Sequence, residues 1–412
     1  MAVPDPLRIL VVCQGDLTNA STKHAVAFAE ALADKGHSIL LSLSGDPTSA
    51  AIEHMPPHPR LTVSFRREYA FRLGRATLRE AQEFSPHVLH VFNPRHYTVT
   101  VARQFHRVTR AVVVVHWEDD ELGIRRGVAK RSPVRRVGRL ARRLLCYPLP
   151  RQGVFVTRSS LRWVKRSATM CDALTPALAA SVQAETGMPC MTVLPTSMGR
   201  RDLRSDLSPR AIQSDAIRQG LKVAYTGSVH PESIDDFRLA ARAVATVVDR
   251  GYNAIFVHTG HTVAQYDLQA VADAEGLPGD RFVSLGYVSF GRVPLILADA
   301  SVLVQPGRPD RFNRLRLPSK VQAYLESGTP TVMFSVGLGE LLQDRVEVIK
   351  LHGFSADELA DRIVELFDDP QLADRVGEGG QEAARRLFDQ KRNTSALLSC
   401  YRTALGIASS RP

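Results

Sequence analysis

Apolar residues along this chain fall into short β-branched runs that alternate with stretches of helical spacing. Residues 8–13 form such a run, a polar loop covers 14–21, and 22–35 then carries Val26, Ala29 and Ala33 beside Phe28 and Leu32 at helical spacing. Gly36 stops that helix and 37–43 reads as the next strand, which completes a βαβ unit. Further apolar runs at 88–92, 111–115 and 191–194 predict strands, with a helix over 176–186 between the last two. Strands alternating with helices require a parallel sheet covered on both faces.

From 199 to 219 the chain turns polar, charged and serine-containing, with Pro209 inside, and 206–219 reads as a domain linker. The alternation then restarts. Strands are predicted at 222–225, 253–258, 281–284, 301–304, 331–334 and 346–351, with helices at 234–249, at 264–274, after Pro318 and from 355 onward. The fold class is α/β: two doubly wound, Rossmann-like domains at 1–205 and 220–389, facing a cleft at the carboxyl ends of their strands, and a last helix within 390–412.

Composition changes this picture in one place only. The length of 412 residues and about 100 to 200 residues per domain agree with two domains. Five scattered cysteines, none in a CxxC pair, read as free thiols in a reducing cytoplasm and give no zinc or disulfide framework. No aliphatic run approaches the roughly 20 residues needed to cross a bilayer, and residues 1–13 read as a first strand rather than a signal peptide. The exception is charge. Lys and Arg number 53 against 42 Asp and Glu, a formal +11, and the stretch 124–171 holds no acid while its cations exceed that whole surplus. Within it, residues 135–145 place arginines between apolar residues at helical spacing, which suits a helix on an anionic membrane surface over 125–166; a solvated basic face is the plainer alternative. No nucleic-acid-binding module accompanies the charge, so nucleic acid is not an expected partner.

The most specific stretch is Leu317-Pro318-Ser319-Lys320-Val321-Gln322-Ala323-Tyr324-Leu325-Glu326-Ser327-Gly328-Thr329-Pro330. Pro318 suits a helix start, so Ser319 and Lys320 lie where unpaired amides and a positive dipole end favour an anion. This element resembles the donor-binding segment of GT-B glycosyltransferases of the retaining family 4 type, the glycosyl transferases group 1. Weaker similarities follow in family order: Gly36-His37 before the second strand, 85–90 with His87 in place of an aspartate, 172–175, 222–228, and 281–305 with Leu285-Gly286-Tyr287. The resemblance implies an N-terminal acceptor-binding domain, a C-terminal nucleotide-sugar-binding domain, and a last helix that crosses back to the first domain.

It also implies site residues. Lys320 and Ser319 are the expected clamp on the donor diphosphate, with Arg316 from the arginine-rich loop before Pro318 and the turn Gly227-Ser228. Gly286 and Tyr287 are expected beside the nucleobase. The family's ribose-binding glutamate is replaced by Ala323, and Glu326, one turn on, is the expected substitute. From their position after a strand, rather than from the resemblance, His116, Asp119 and Asp120 are expected to orient the sugar and the acceptor hydroxyl; an acidic surface loop countering the basic segment that follows is the alternative. In retaining members the leaving phosphate is thought to take the acceptor's proton, so no dedicated base is expected; helix-end amides and cationic side chains can neutralise the diphosphate, so neither a metal nor a cofactor other than the donor is expected.

The resulting expectation is a metal-independent transferase that moves a sugar from a nucleotide sugar to a saccharide or lipid-linked acceptor. Retention, a role in polysaccharide or cell-envelope glycan synthesis, and a cytoplasmic location at the inner face of the membrane complete it. The departures at Ala323, Ser228 and His87 keep open a catalytically weakened binding or scaffold protein, and a nucleotide-sugar epimerase of the same architecture is a further alternative.

Overall fold

In the computed structural model, residues 4–15, 20–45, 58–66, 72–121, 123, 156–196, 220–231, 233–288 and 290–410 are described. The chain divides into two compact units, one of residues 1–199 with 389–412 and the other of residues 200–388. The linker at 206–219 and the basic stretch 125–155 lie outside the described residues.

The first unit is built on seven parallel strands, β1 (Arg8–Val12), β2 (Ser38–Ser44), β3 (Leu61–Arg66), β4 (Val88–Phe92), β5 (Val112–Trp117), β6 (Ala168–Ala173) and β7 (Cys190–Thr192). Their order is β3-β2-β1-β4-β5-β6-β7, so the winding reverses between β1 and β4. β1, β4 and β6 are buried almost throughout, as strands covered on both faces must be. Helix Ala20–Asp34 lays Val26, Phe28, Ala29 and Leu32 on this sheet. Helix Pro176–Thr186 shows how locally the elements are encoded: Thr175 accepts from the Leu178 amide, Pro176 opens the first turn, and Gly187 ends it at φ 73°. Strands β3 and β6 and the helices Arg75–Phe84, His96–Thr109 and Arg158–Ser167 add elements beyond those the apolar runs predicted.

The second unit repeats the design with β8 (Leu221–Thr226), β9 (Ala254–Thr259), β10 (Phe282–Ser284), β11 (Val302–Gln305), β12 (Thr331–Phe334) and β13 (Ile349–Leu351). All pairs are parallel, in the order β10-β9-β8-β11-β12-β13, with the reversal between β8 and β11. Helices Ile234–Asp249 and Ala356–Asp368 pack their apolar faces, including Phe237, Val244, Leu359 and Ile363, around Phe256 and Val304. The helix predicted at 264–274 starts later, at Leu268, because the Asp267 carboxylate caps it by accepting from the Gln269 and Ala270 amides.

The last helix, Gln390–Ser410, belongs to the first unit. Leu397, Leu398, Tyr401 and Ala404 enter the same core as Ile9, Phe28 and Val114, and Asn393 Nδ2 donates to the Pro195 carbonyl at 2.9 Å. No described helix is long and apolar enough to cross a membrane.

Candidate active site

In the second unit the carboxyl ends of β8, β9 and β10 bring three glycine turns beside a first-turn lysine. Strand β8 ends on Thr226, and the chain leaves the sheet through Gly227, whose φ of 111° favours glycine. Gly260 lies against this turn so closely that a Cβ there would overlap the Gly227 carbonyl. The Gly260 amide and the Thr259 hydroxyl both donate to the Gly286 carbonyl at 2.8 Å. Three glycine turns, at 227, 260 and 286, are thus stacked at the carboxyl ends of β8, β9 and β10, where α/β sheets bind ligands.

Helix Ser319–Ser327 faces them. Pro318 stands at its N-cap and Gly328 ends it at φ 79°. Lys320 and Tyr324 are one turn apart and share a helix face. Lys320 Nζ donates to the Thr226 carbonyl at 2.7 Å and sits 3.6 Å from the centroid of the Tyr225 ring. The Tyr324 hydroxyl accepts from the Thr226 amide at 2.8 Å and from the Thr226 hydroxyl at 3.2 Å. A lysine in the first helical turn, beside a glycine turn, puts a cation and free amides at one place.

Asp236, in the first turn of helix Ile234–Asp249, is the counter-charge, 3.8 Å from Arg316 Nη2. Arg316 lies over Phe312, while Arg308 Nη2 is 3.4 Å from Asp235 and its guanidinium lies over Phe354. Burial pushes Lys320 down to about 7, with Arg316 acting in the same sense and Asp236 against it. Burial also pushes Asp236 up to about 6, although Arg316 and Lys320 oppose the shift. Both charges are held at a cost, which an arriving dianion would relieve at the lysine.

The other expected donor residues fall into place unevenly. Ser228 and Ser319 are exposed, the first beside Gly227 and the second at the helix start. Tyr287 is 62% exposed and stacks on His261, with centroids 4.4 Å apart and planes 19° apart, next to the Gly286 turn. Glu326 is the exception. It is exposed, accepts from Gln322 Nε2 at 3.0 Å, and its backbone carbonyl meets Gln381 of helix Pro370–Leu387. At 100° per residue it is about 240° around the helix from Lys320, so the structure does not bring it to the glycine turns. Ala323 is half-buried and packs against the apolar cluster that includes Ile255, Leu297 and Leu303.

In the first unit, β4, β5 and β6 lie side by side, with Phe92 opposite His116 and His116 opposite Asp172. His90, two residues before Phe92, shares their face of the sheet. His116 Nδ1 lies 2.5 Å from Asp172 Oδ2 and His90 Nε2 lies 3.0 Å from Asp172 Oδ1. All three side chains are buried. Burial would lower His116, but the Asp172 charge and hydrogen bond, with Glu118 acting in the same sense, outweigh it and lift the ring to about 9. Burial would raise Asp172, but the two imidazoles hold it well below the usual carboxylate range. The polar atoms of these three lie within 4.8 Å of one another. At 2.5 Å the His116–Asp172 contact has the length of a charge-assisted hydrogen bond.

Glu118, just past β5, is buried and saturated: Ser21 Oγ and Asn93 Nδ2 donate to Oε2, and His24 Nδ1 lies 2.9 Å from Oε1. Of the acids expected to handle an acceptor, Asp120 is buried and takes the Gly123 amide at 2.9 Å, which makes it part of a turn. Asp119 is half-buried, and its carbonyl accepts from the Glu121 amide at 2.7 Å. The structure therefore groups His116 with Asp172, His90 and Glu118 rather than with Asp119 and Asp120. Sequence reasoning missed Asp172, His90, Tyr324 and Asp236. The available signal for the first two was a polar residue inside an otherwise apolar strand.

Comparison with known proteins places these geometries. Residues 220–369 match the family model of glycosyl transferases group 1. The chain is 26% identical over 181 residues to alpha-D-kanosaminyltransferase of Streptomyces kanamyceticus, a match that spans 44% of this chain and 45% of that relative's length. Among solved structures, Anabaena HepE in complex with UDP-glucose is similar at a TM-score of 0.67 and 14% identity, over 95% of this chain and 98% of that one. Sucrose-phosphate synthase of Thermosynechococcus elongatus is similar at a TM-score of 0.66 and 14% identity, over 98% and 100%. The fold is GT-B, built of two Rossmann-like domains.

Proposed function

We propose that this chain, whose C-terminal domain is of the glycosyl transferases group 1 family, transfers a sugar from a nucleoside-diphosphate sugar to a hydroxyl acceptor. The observation that carries the reading is the Lys320 ammonium seated on the Thr226–Gly227 turn, with Arg316 beside it. Charge builds on the diphosphate oxygens as the glycosidic bond to the leaving group breaks, and a fixed cation with helix amides stabilises that charge without a metal. The Gly286 turn, with the exposed Tyr287 ring, is the place for the base.

The finer reading is a retaining, metal-independent transferase of the cytoplasmic face, acting on a saccharide or lipid-linked acceptor in polysaccharide or cell-envelope assembly. Its support on the acceptor side is the exposed cationic face of helix Arg158–Ser167, with Arg158, Arg162, Lys165 and Arg166, which suits an anionic membrane surface. Incubation with a panel of nucleotide sugars and membrane extract, in the presence and absence of chelator, is expected to release nucleoside diphosphate in both. The absence of donor binding across the panel would overturn the proposal. Tight nucleotide binding without turnover would favour the scaffold alternative, which Ala323 at the ribose position supports.

A further inference from the structure

Tyr401, His90, Asp172 and His116 form one unbroken line of buried polar contacts, with steps of 2.8 Å, 3.0 Å and 2.5 Å. Its members come from helix Gln390–Ser410, β4, β6 and β5, so residues up to 311 positions apart in sequence share one network. The direction of every step follows from the middle. An ionised Asp172 accepts at both oxygens, so His90 carries its proton on Nε2, its Nδ1 is an acceptor, and the Tyr401 hydroxyl donates to it. On the other side Asp172 takes the Nδ1 proton of His116. At the far end of the line His116 Nε2 is buried and faces Glu118 Oε1 at 3.7 Å, an ion-pair contact too long to be a normal hydrogen bond, so the donor is not fully satisfied. Leaving a buried donor unmatched is costly, and such groups are rare unless something else completes them.

We infer that Tyr401 is a positioning residue for His116: through His90 and Asp172 it fixes the ring so that Nε2–H is presented as a hydrogen-bond donor to an oxygen of a ligand at the carboxyl end of β5. The ligand class, a sugar hydroxyl or a phosphoryl oxygen, rests on the transferase reading above; the positioning does not. The groups that face His116 are Asp172 on β6, Glu118 after β5 and His90 on β4, with His24 of helix Ala20–Asp34 behind Glu118. Two carboxylates against one imidazole keep the ring doubly protonated at neutral pH, consistent with its upward shift. His116 is then a donor and not a base, and the last helix is part of what aims it.

The test is nitrogen-resolved NMR of the histidine side chains in the full chain without ligand. At neutral pH His116 is expected to carry protons on both ring nitrogens and His90 on Nε2 alone. Tyr401→Phe keeps the ring in the core and removes only the hydroxyl; the proton shared by His116 and Asp172 is expected to exchange with solvent about tenfold faster or more, as the line loosens. Asp172→Asn is expected to leave His116 singly protonated. Unchanged exchange in Tyr401→Phe overturns the role of Tyr401, and a doubly protonated His116 in Asp172→Asn overturns the line's control of the ring. If Asp172→Asn does not fold, Tyr401→Phe decides alone. No nucleotide sugar enters the measurement, so its failure is distinct from failure of the transferase reading.

Discussion

Lys320 Nζ donates to the carbonyl of Thr226 at 2.7 Å, across 94 residues of sequence, and this contact ties the start of a helix to the turn that leaves β8. An ammonium so held faces any anion that settles on the Gly227 turn. Lys320→Ala is expected to weaken binding of a nucleoside diphosphate, with UDP as the probe, by roughly 10- to 100-fold, since hydrogen bonds to charged groups contribute about 1.5 to 3 kcal/mol. Isothermal titration measures it, and an unchanged affinity removes Lys320 from the site.

The same site should respond to pH. Lys320, lowered to about 7 by burial, gains its charge as pH falls, and Asp236, raised to about 6, loses its own. Both changes favour an anion, so UDP affinity is expected to rise from about pH 8 to about pH 6, against the weak trend of the nucleotide's own last proton. Lys320→Arg carries its charge throughout, and is expected to flatten the profile. An equal slope in both proteins would show that the nucleotide alone sets it.

This half of the site was legible in the sequence because its signals are local. Pro318, Ser319, Lys320 and Gly328 mark where a helix starts and stops, and a first-turn cation follows from that alone. Glu326 could not be placed from sequence distance alone: six residues on from Lys320, it lies about 240° around the helix and pairs with Gln322. In the first domain, the alternation of strands and helices revealed the parallel sheet but not its register. His90, His116 and Asp172 meet only because β4, β5 and β6 are neighbours at one particular alignment, and Tyr401 joins them only because the last helix packs on that sheet. His116 was found from its place after an apolar strand, while the carboxylate that governs it stood 56 residues away.

Tyr324→Phe separates the helix's grip on the turn from its cation. Its hydroxyl takes the Thr226 amide in a fully buried setting, and removing it leaves that amide without its acceptor. The expected cost is about 1 to 3 kcal/mol in the stability of the C-terminal domain. Denaturant unfolding of that domain, with UDP titration alongside, checks both consequences. If stability falls while UDP affinity stays level, the turn keeps its shape without the tyrosine and Lys320 alone holds it.

The ion pair of His116 and Asp172 makes a stability prediction with a definite sign. His116 stands at about 9 in the folded chain, against about 6.5 in an unfolded one. Its contribution is therefore complete below about pH 6.5 and is lost as pH rises through about 9. The shift corresponds to about 3 kcal/mol. Asp172, depressed by the same partner, carries the complementary limb, present above its ordinary carboxylate value and lost as pH falls through its lower folded value. The two shifts share the His116–Asp172 contact, with Glu118 adding to the first and His90 to the second, so they are not added. Amide exchange of β5 and β6 is expected to show protection falling by up to about 3 kcal/mol between neutral and strongly alkaline pH beyond the intrinsic rate change, and Asp172→Asn is expected to shrink this alkaline limb and move it to lower pH, with Glu118 left as the one facing carboxylate. A neutral His116 that merely donates to Asp172 would give no such loss near pH 9, and protection that stays level through that range would show that the imidazole is not charged.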